Sequence, residues 1–284
     1  MSLSVVIPAR LHSPTLLRLL ESLKSQSLQE FETLVVFDGE FKGSATSLHD
    51  LAGLKVLCSP VSGANGARNL GMDHAAHSLV QLIDDDCVVN DPYFLQNVLG
   101  EHQKHPEAVA IGGPYALTKS LSLPAKAYNI IANFWQRPQK WSTSQNSRLL
   151  GGNVSYKKDR LDKLSLRFND SIDYGGSEAE FHQRLSVLGE SLIFSSQLVL
   201  SHQPQMTEQQ LIEKAKKQAT TSLQFPIDSG FDRQLIKTYQ CPKKVAALRW
   251  SRDPEEFKNL CRWIDLYDRA YQQVWQGSDR RPHA

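Results

Sequence analysis

The sequence has few cysteines, and their spacing argues against a metal-binding or disulfide framework. The four cysteines, Cys58, Cys87, Cys241 and Cys261, lie far apart without C-x-x-C spacing. A reducing compartment is therefore expected. Cys58 and Cys87 lie in or beside short apolar runs, which predicts that both side chains belong to the core.

The sequence also lacks a long hydrophobic run and a strong excess of charge of one sign. No stretch approaches the ~18 apolar residues of a membrane-spanning helix. The N-terminal run Leu3–Ile7 is too short for a signal peptide and is followed by Pro8. The net charge of +2 over 284 residues argues against a dedicated nucleic-acid-binding protein. We expect a cytoplasmic protein and leave open a peripheral contact with the inner face of the membrane.

Short apolar runs alternate with helical periodicity through the first two thirds of the chain. The predicted strands include 3–8, 31–37, 55–58, 79–83, 109–112 and 149–156, and the predicted helices include one that starts at Ser13-Pro14, 64–76 and 177–188. This alternation is typical of an α/β fold with a mostly parallel sheet flanked by helices. Beyond about residue 203 the sequence is helical. We therefore expect a domain of residues 1–204 and a helical C-terminal extension, 205–284, packed on it.

Three consecutive carboxylates, Asp84, Asp85 and Asp86, directly follow the predicted strand 79–83. Alternate residues of a strand point to the same face. Asp84 and Asp86 are therefore expected to converge, and Asp85 to point away. Two convergent carboxylates form a good oxygen site for a hard divalent cation, which can in turn bind a diphosphate.

Other polar residues follow the neighbouring predicted strands. Arg10 follows the first strand, Asp38 ends the second, and residues 63–69 open the helix before the fourth. Ligands of open α/β sheets bind at the carboxyl ends of the strands, so these groups are expected at one edge. Taken alone, Asp38-Gly39 is more typical of a turn, and Arg68 could simply belong to a helix surface.

Together these motifs resemble those of the family 2 glycosyltransferases with the GT-A fold, inverting enzymes that use nucleotide-diphosphate sugars. The matching pieces are Ser4-Val5-Val6-Ile7-Pro8-Ala9-Arg10, Val35-Val36-Phe37-Asp38-Gly39, Gly66-Ala67-Arg68-Asn69-Leu70-Gly71, Leu82-Ile83-Asp84-Asp85-Asp86, Gly151-Gly152-Asn153 with Tyr156, and Gly175-Gly176-Ser177-Glu178-Ala179-Glu180-Phe181 with Arg184-Leu185. The resemblance covers about residues 3–202. It implies a Rossmann-like mixed sheet flanked by helices.

The resemblance also implies roles for individual residues. The donor is expected to be a nucleotide-diphosphate sugar, in the first place a uridine diphosphate sugar. The residues implied at its nucleotide are Pro8, Arg10, Asp38, Arg68, Asp84 and Asp85. Asp86 is implied as a ligand of Mn²⁺ or Mg²⁺, and His202 lies where the family often has a histidine near the metal or the diphosphate. Gly151, Gly152 and Asn153 are implied at the donor sugar and acceptor, although the glycines could simply permit a tight backbone path.

Inversion by single displacement needs a general base, and two glutamates compete for that role. The family places a carboxylate at the start of the late helix, which matches Glu178. Glu178 shares its helix face with Phe181, whereas Glu180 lies about 200° away. Glu180 fits a capping box with Ser177 and an i,i+4 pair with Arg184. The sequence therefore favours Glu178 as the base, with Glu180 as the alternative.

The departures from the family pattern refine the prediction. Phe37 stands where the second strand usually has another acid, so an altered nucleoside pocket is expected. The Gln-x-x-Arg-Trp signature of processive members is missing, which favours the transfer of one sugar. The prediction is an inverting, metal-dependent, hexosyltransferase-like enzyme. Its acceptor is a hydroxyl group of a surface polysaccharide, a lipid-linked glycan or a small molecule, and no nucleic acid is involved.

Two rival functions remain at this point. A non-catalytic nucleotide-sugar-binding module would keep the site and lack turnover. A sugar nucleotidyltransferase uses a related sheet, but it would need a Gly-rich, basic loop after the first strand, and residues 8–12 do not form one. Homo-oligomerisation is left open.

Overall fold

The computed structural model describes residues 2–10, 13–39, 54–116, 118, 120–135, 148–172, 175–225 and 240–278. The strands are β1 (Leu3–Ala9), β2 (Phe31–Asp38), β3 (Leu54–Ser59), β4 (Leu79–Ile83), β5 (Cys87–Val88), β6 (Ala108–Gly112), β7 (Asn153–Lys157), β8 (Ser191–Phe194) and β9 (Ser201–His202). The helices are α1 (Leu16–Lys24), α2 (Ala64–His74), α3 (Phe94–Lys104), α4 (Leu123–Trp135), α5 (Lys158–Lys163), α6 (Ser177–Val187), α7 (Glu208–Gln224), α8 (Gln240–Trp250) and α9 (Pro254–Ser278).

In the described part of the chain, seven strands form one mixed sheet in the order β3-β2-β1-β4-β7-β6-β8, and β5 pairs with β9 in a separate ribbon. The first four sheet strands in the chain are parallel, whereas β7 runs antiparallel to both β4 and β6. The predicted mixed sheet flanked by helices is confirmed. Because β1, β2 and β4 are parallel, their carboxyl ends lie at the same edge of the sheet.

The central strands are mostly apolar because helices cover both faces of the sheet. In β1, Val5 and Ile7 belong to a core cluster with α1, α3 and α4, whereas Val6 belongs to a second cluster with α2 and α6. Pro8 lies near the end of β1, where pairing with β2 continues but pairing with β4 has stopped at Val6. A proline lacks the N–H that further pairing would need, so β1 and β4 are free to separate at the edge that carries the acids.

The helices after β9 pack on α4. The helix α7 begins with a capping box between Thr207 and Gln210. The longest helix, α9, is joined to α4 by an ion pair between Lys126 and Glu256, with 2.6 Å between Nζ and Oε1. Within the described ranges, no helix is both long enough and apolar enough to cross a membrane.

Three local predictions are wrong. The first helix begins at Leu16 rather than at Ser13-Pro14, because the Thr15 hydroxyl donates to the carbonyl of Asp85 and fixes the preceding turn. The strand predicted to start at residue 149 begins at Asn153, after a turn that brings two glycines to the acids. Cys58 is exposed because β3 is an edge strand.

Candidate active site

A buried arginine joins two of the predicted acids. Arg68 lies on α2 and is only 4% exposed. Its Nη2 donates to Asp84 Oδ1 and its Nη1 donates to Glu178 Oε1, and the donor–acceptor distance is 3.0 Å in each case. Burial would lower the pKa of Arg68, but the charges of Asp84 and Glu178 raise it above its ordinary value. The guanidinium therefore stays charged and holds the end of β4 beside the start of α6.

Glu178 lies in the first turn of α6, where the backbone N–H groups and the helix dipole favour a negative charge. Burial would raise the pKa of this carboxyl, but the charges of Arg68, Lys214 and His182 and the backbone N–H of Glu178 itself lower it below its ordinary value. Glu178 is therefore ionised at neutral pH.

Glu180 makes different contacts from Glu178. Its two carboxylate oxygens accept hydrogen bonds from Nε and Nη2 of Arg184, at 2.7 and 3.0 Å. The predicted i,i+4 pair is therefore present. The predicted capping box with Ser177 is wrong, because Ser177 is the first helical residue and Gly176, with φ of 82°, occupies the N-cap.

Two glycines make room for the acids. A Cβ atom on Gly151 would lie 2.2 Å from Glu178 Oε1, and one on Gly152 would lie 2.3 Å from Asp84 Oδ2. A side chain at either position would therefore force the neighbouring carboxylate to shift. The adjacent Asn153 is fully buried, and its Nδ2 donates a hydrogen bond of 2.8 Å to the carbonyl of Leu198. The segment thus brings bare backbone against both carboxylates.

The three aspartates after β4 form a turn rather than an extension of the strand. A hydrogen bond of 3.0 Å from the N–H of Cys87 to the carbonyl of Asp84 closes this turn. Strand alternation therefore does not apply, and the reason given for Asp84 and Asp86 to converge is wrong. Asp84 contacts Arg68, and Asp86 faces His202. Asp85 accepts a hydrogen bond of 2.9 Å from the backbone N–H of Arg10. Burial, followed by the charges of its two neighbours, raises the pKa of Asp85 to about 6.

Asp86 and His202 form a second polar pair, because β5 pairs with β9 and sets Cys87 opposite His202. His202 Nε2 lies 3.3 Å from Asp86 Oδ1. Burial would raise the pKa of Asp86, but the charge of His202, followed by those of Lys214 and Arg10, lowers it.

The other nitrogen of His202 is held by Asn129 on α4. The Asn129 Nδ2 donates to the carbonyl of His202 at a distance of 2.9 Å. The Asn129 Oδ1 therefore accepts the hydrogen bond from His202 Nδ1, at 2.6 Å. This contact fixes the imidazole with Nε2 toward Asp86. An imidazole held in this way by a neighbouring acceptor is typical of metal ligands.

Asp38 contacts the start of α2. Its Oδ1 accepts a hydrogen bond of 2.9 Å from the backbone N–H of Gly63, the N-cap residue of that helix. This contact joins β2 to the loop before α2. Phe37, the departure from the family pattern, is buried in the core.

The structure adds three residues that sequence reasoning missed. The ring of Tyr115 stacks on His202 with 4.1 Å between the centroids. Asn129 orients the same histidine, and the charge of Lys214 on α7 helps to lower the pKa of Asp86. None of the three belongs to a recognisable motif, so periodicity and spacing could not have found them.

Comparisons with known proteins show which family the chain resembles. The family model of glycosyl transferase family 2 matches residues 4–164, more than half of the chain. A curated relative, a glucosyl-dolichyl phosphate glucuronosyltransferase of Haloferax volcanii, is 21% identical over 196 residues. That match covers 64% of this chain and 62% of the relative, so the chain spans about three fifths of the relative's length.

Solved structures of glycosyltransferases share the fold. The mannosyltransferase PcManGT from Pyrobaculum calidifontis, in complex with GDP-Man and Mn²⁺, superposes with a TM-score of 0.64 at 14% identity, covering 98% of this chain and 88% of that one. Residues 1–349 of S. aureus TarS, in complex with UDP-GlcNAc, superpose with a TM-score of 0.54 at 15% identity. The match covers 98% of this chain and 92% of that one. From the family match and the shared architecture, we conclude that the chain belongs to glycosyl transferase family 2 and has the GT-A fold.

Proposed function

We propose that this glycosyltransferase is inverting and metal-dependent, and that it moves a single sugar from a nucleotide-diphosphate sugar to a hydroxyl acceptor. The observation that supports this most directly is the bridge that Arg68 makes between Asp84 and Glu178, with 3.0 Å to each. Because one guanidinium spans only a short distance, the acid proposed for the donor and the acid proposed for the acceptor lie next to each other.

Glu178 is the proposed general base. Its carboxylate is ionised at neutral pH and takes the proton of the acceptor hydroxyl as that oxygen attacks the anomeric carbon of the donor. The bond from the anomeric carbon to the diphosphate breaks in the same step, which inverts the configuration. Glu180 is already held by Arg184, so we assign it a structural role.

Asp86 and His202 are the proposed cation ligands. Asp86 Oδ1 is buried without a hydrogen bond among the described residues, and His202 turns Nε2 toward it. These donors fit Mn²⁺ or Mg²⁺, although the described part of the chain holds no cluster of three or more His, Cys, Asp or Glu ligands. Such cations commonly bind through one or two protein ligands together with substrate phosphates. A divalent cation would supply positive charge to the departing diphosphate.

The proposed donor contacts come from the strand ends. We assign Asp38, Asp84 and Asp85 to the nucleoside and the backbone around Gly152 to the sugar. The two structural relatives are in complex with GDP-Man and UDP-GlcNAc, both nucleotide-diphosphate sugars, which supports this donor class. A uridine diphosphate sugar is the first donor to test. The name of the Haloferax relative supports the inclusion of lipid-linked glycans among the acceptors.

Donor turnover tests the proposal. The protein is incubated with Mn²⁺ and a panel of UDP and GDP sugars, and the release of nucleoside diphosphate is measured. We expect the Glu178→Gln variant to lose about 10²- to 10⁴-fold in rate, because a general base contributes that much. Asp86→Ala is expected to bind Mn²⁺ more weakly and to lose the stimulation by metal.

Glu180→Gln is the matched control, since it lies on the same helix turn. Its rate should stay within a few-fold of the wild type. An unimpaired Glu178→Gln enzyme together with an inactive Glu180→Gln enzyme would exchange the two roles. Full activity in both Asp86→Ala and Glu178→Gln would contradict the whole assignment.

A further inference from the structure

The helix α7 brings a lysine to the edge of the acidic site. Lys214 is half-buried, and its Nζ lies 4.2 Å from the centroid of the Tyr128 ring on α4. An ammonium at this distance over an aromatic face is attracted by the ring electrons. The position of the charge is therefore set by the packing of α7 on α4.

The aromatic ring under Lys214 leads to the proposed cation ligands. The Tyr128 ring lies 6.0 Å from the His202 ring, measured between centroids, and His202 Nε2 lies 3.3 Å from Asp86. Burial raises the pKa values of Asp86 and Glu178, and Lys214 is among the charges that outweigh it in both cases. The ammonium is thus one aromatic ring away from His202, and its charge favours the ionised forms of Asp86 and Glu178.

The charges of the site explain what such a lysine does. Three carboxylates, Asp84, Asp86 and Glu178, belong to the site proposed for a donor that carries a doubly charged diphosphate. The terminal nitrogens of Arg68 already contact Asp84 and Glu178. A diphosphate entering this site therefore needs further positive charge beyond a cation on Asp86. A lysine is a compact charge with three donors on a flexible stem, which suits phosphate oxygens.

On this basis, and resting on the proposed function, we propose that Lys214 is a donor-binding residue that contacts the diphosphate of the nucleotide sugar. The C-terminal helices thereby contribute directly to the donor site.

A purely structural role is separable from this one. The helix α7 is held by the buried side chains Leu211, Ala215 and Ala219. The Thr221 hydroxyl also donates a hydrogen bond of 2.7 Å to the carbonyl of Gly175, which lies just before α6. Since these contacts do not involve Lys214, its substitution should leave the helix in place.

Binding measurements on the full chain test the inference. UDP is titrated by calorimetry in the presence of Mn²⁺, and uridine, which lacks phosphate, is titrated by NMR. Lys214→Gln is expected to weaken UDP binding by about 10-fold or more, as the loss of a hydrogen bond between charged groups predicts. Uridine binding should change by less than about twofold, and Lys214→Arg should keep most of the affinity for UDP because it keeps the charge.

Lys216→Gln, on an exposed position of the same helix, is the control and should bind both ligands like the wild type. Unchanged UDP binding by Lys214→Gln would overturn the inference and leave the proposed function intact. Equal weakening for UDP and uridine would also overturn it, since the lysine would then act through the fold. A wild-type protein that binds neither UDP nor GDP would contradict the proposed function itself, and this inference with it.

Discussion

Arg68 shows how one side chain organises the site. Its planar guanidinium offers separate nitrogens to two carboxylates, and a lysine could not make both contacts in a fixed geometry. Asp84 and Glu178 would repel each other without this cation between them. The arginine therefore places one positive charge between two acids that have different proposed partners, the donor and the acceptor.

Gly152 offers a test at the same scale. In Gly152→Ala the new methyl group would overlap the Asp84 carboxylate and the Tyr115 hydroxyl, at 2.3 and 2.7 Å. Because small displacements of site groups are costly, we expect kcat/KM for the donor to fall by about 10²-fold. Steady-state kinetics well below the unfolding temperature would measure this.

Gly100→Ala is the matched control for that substitution. Gly100 lies within α3, and a Cβ there meets nothing within 4 Å. Alanine should leave kcat/KM unchanged and stabilise the protein by about 0.5–1 kcal/mol, because glycine is unfavourable inside a helix. A Gly152→Ala enzyme as active as this control would show that Asp84 tolerates displacement.

At the scale of elements, buried ion pairs connect the C-terminal helices. Lys126 on α4 and Glu256 on α9 are almost fully buried, with side-chain exposures of 1% and 4%. Lys243 on α8 and Asp268 on α9 form a second buried pair, with 2.6 Å between Nζ and Oδ2. A buried charge without its partner is costly, so these pairs favour one particular arrangement of the helices.

Removing one partner measures this effect. Lys126→Met should lower the free energy of unfolding by about 2 kcal/mol, because the Glu256 carboxylate loses its buried hydrogen bond to a charged group and, among the described residues, keeps only Arg252 as an ion-pair partner. Lys126→Met combined with Glu256→Gln should recover part of that loss. Urea unfolding gives both values. The more exposed pair Lys158–Asp162, with side-chain exposures of 20% and 36%, is the control, where Lys158→Met should cost less than about 1 kcal/mol. Equal losses at both pairs would refute the proposed difference.

At the scale of the whole molecule, the sheet separates two apolar clusters. One is formed with α2, α5 and α6, close to the acids. The other joins α1, α3 and α4 to Leu211, Leu260 and Ile264 of the C-terminal helices. The helices after β9 therefore share a core with the sheet domain. The boundary at residue 204 stays a prediction that marks where the family resemblance ends.

Truncation tests this shared core. A chain that ends at residue 204 should be poorly soluble or bind the hydrophobic dye ANS, because the apolar face of α4 would lose its cover. Soluble yield, circular dichroism and dye binding would measure this. A chain that ends at Ser278 keeps α9 and should behave like the full protein. A soluble, cooperatively folding, active chain of 204 residues would show that the C-terminal helices have another role.

Much of the fold was predictable because it is encoded locally. The strands 31–37 and 79–83 differ from the observed ones by at most one residue. The errors lie where distant contacts override local pattern. The turn at Gly151-Gly152 replaced a predicted strand start because its backbone packs against acids from β4 and α6. Likewise, Asp86 faces His202 because of the β5–β9 pairing rather than strand alternation.

The sequence by itself determined the order of strands and helices, the acids at the strand ends and the family, since apolar periodicity and short motifs are properties of neighbouring residues. Tertiary structure decided which charges meet. Arg68 and Glu178 are 110 residues apart, and Lys214 lies beyond every family motif. Such contacts depend on how the sheet and helices pack, and packing brings distant residues together without leaving a local pattern that marks the pair.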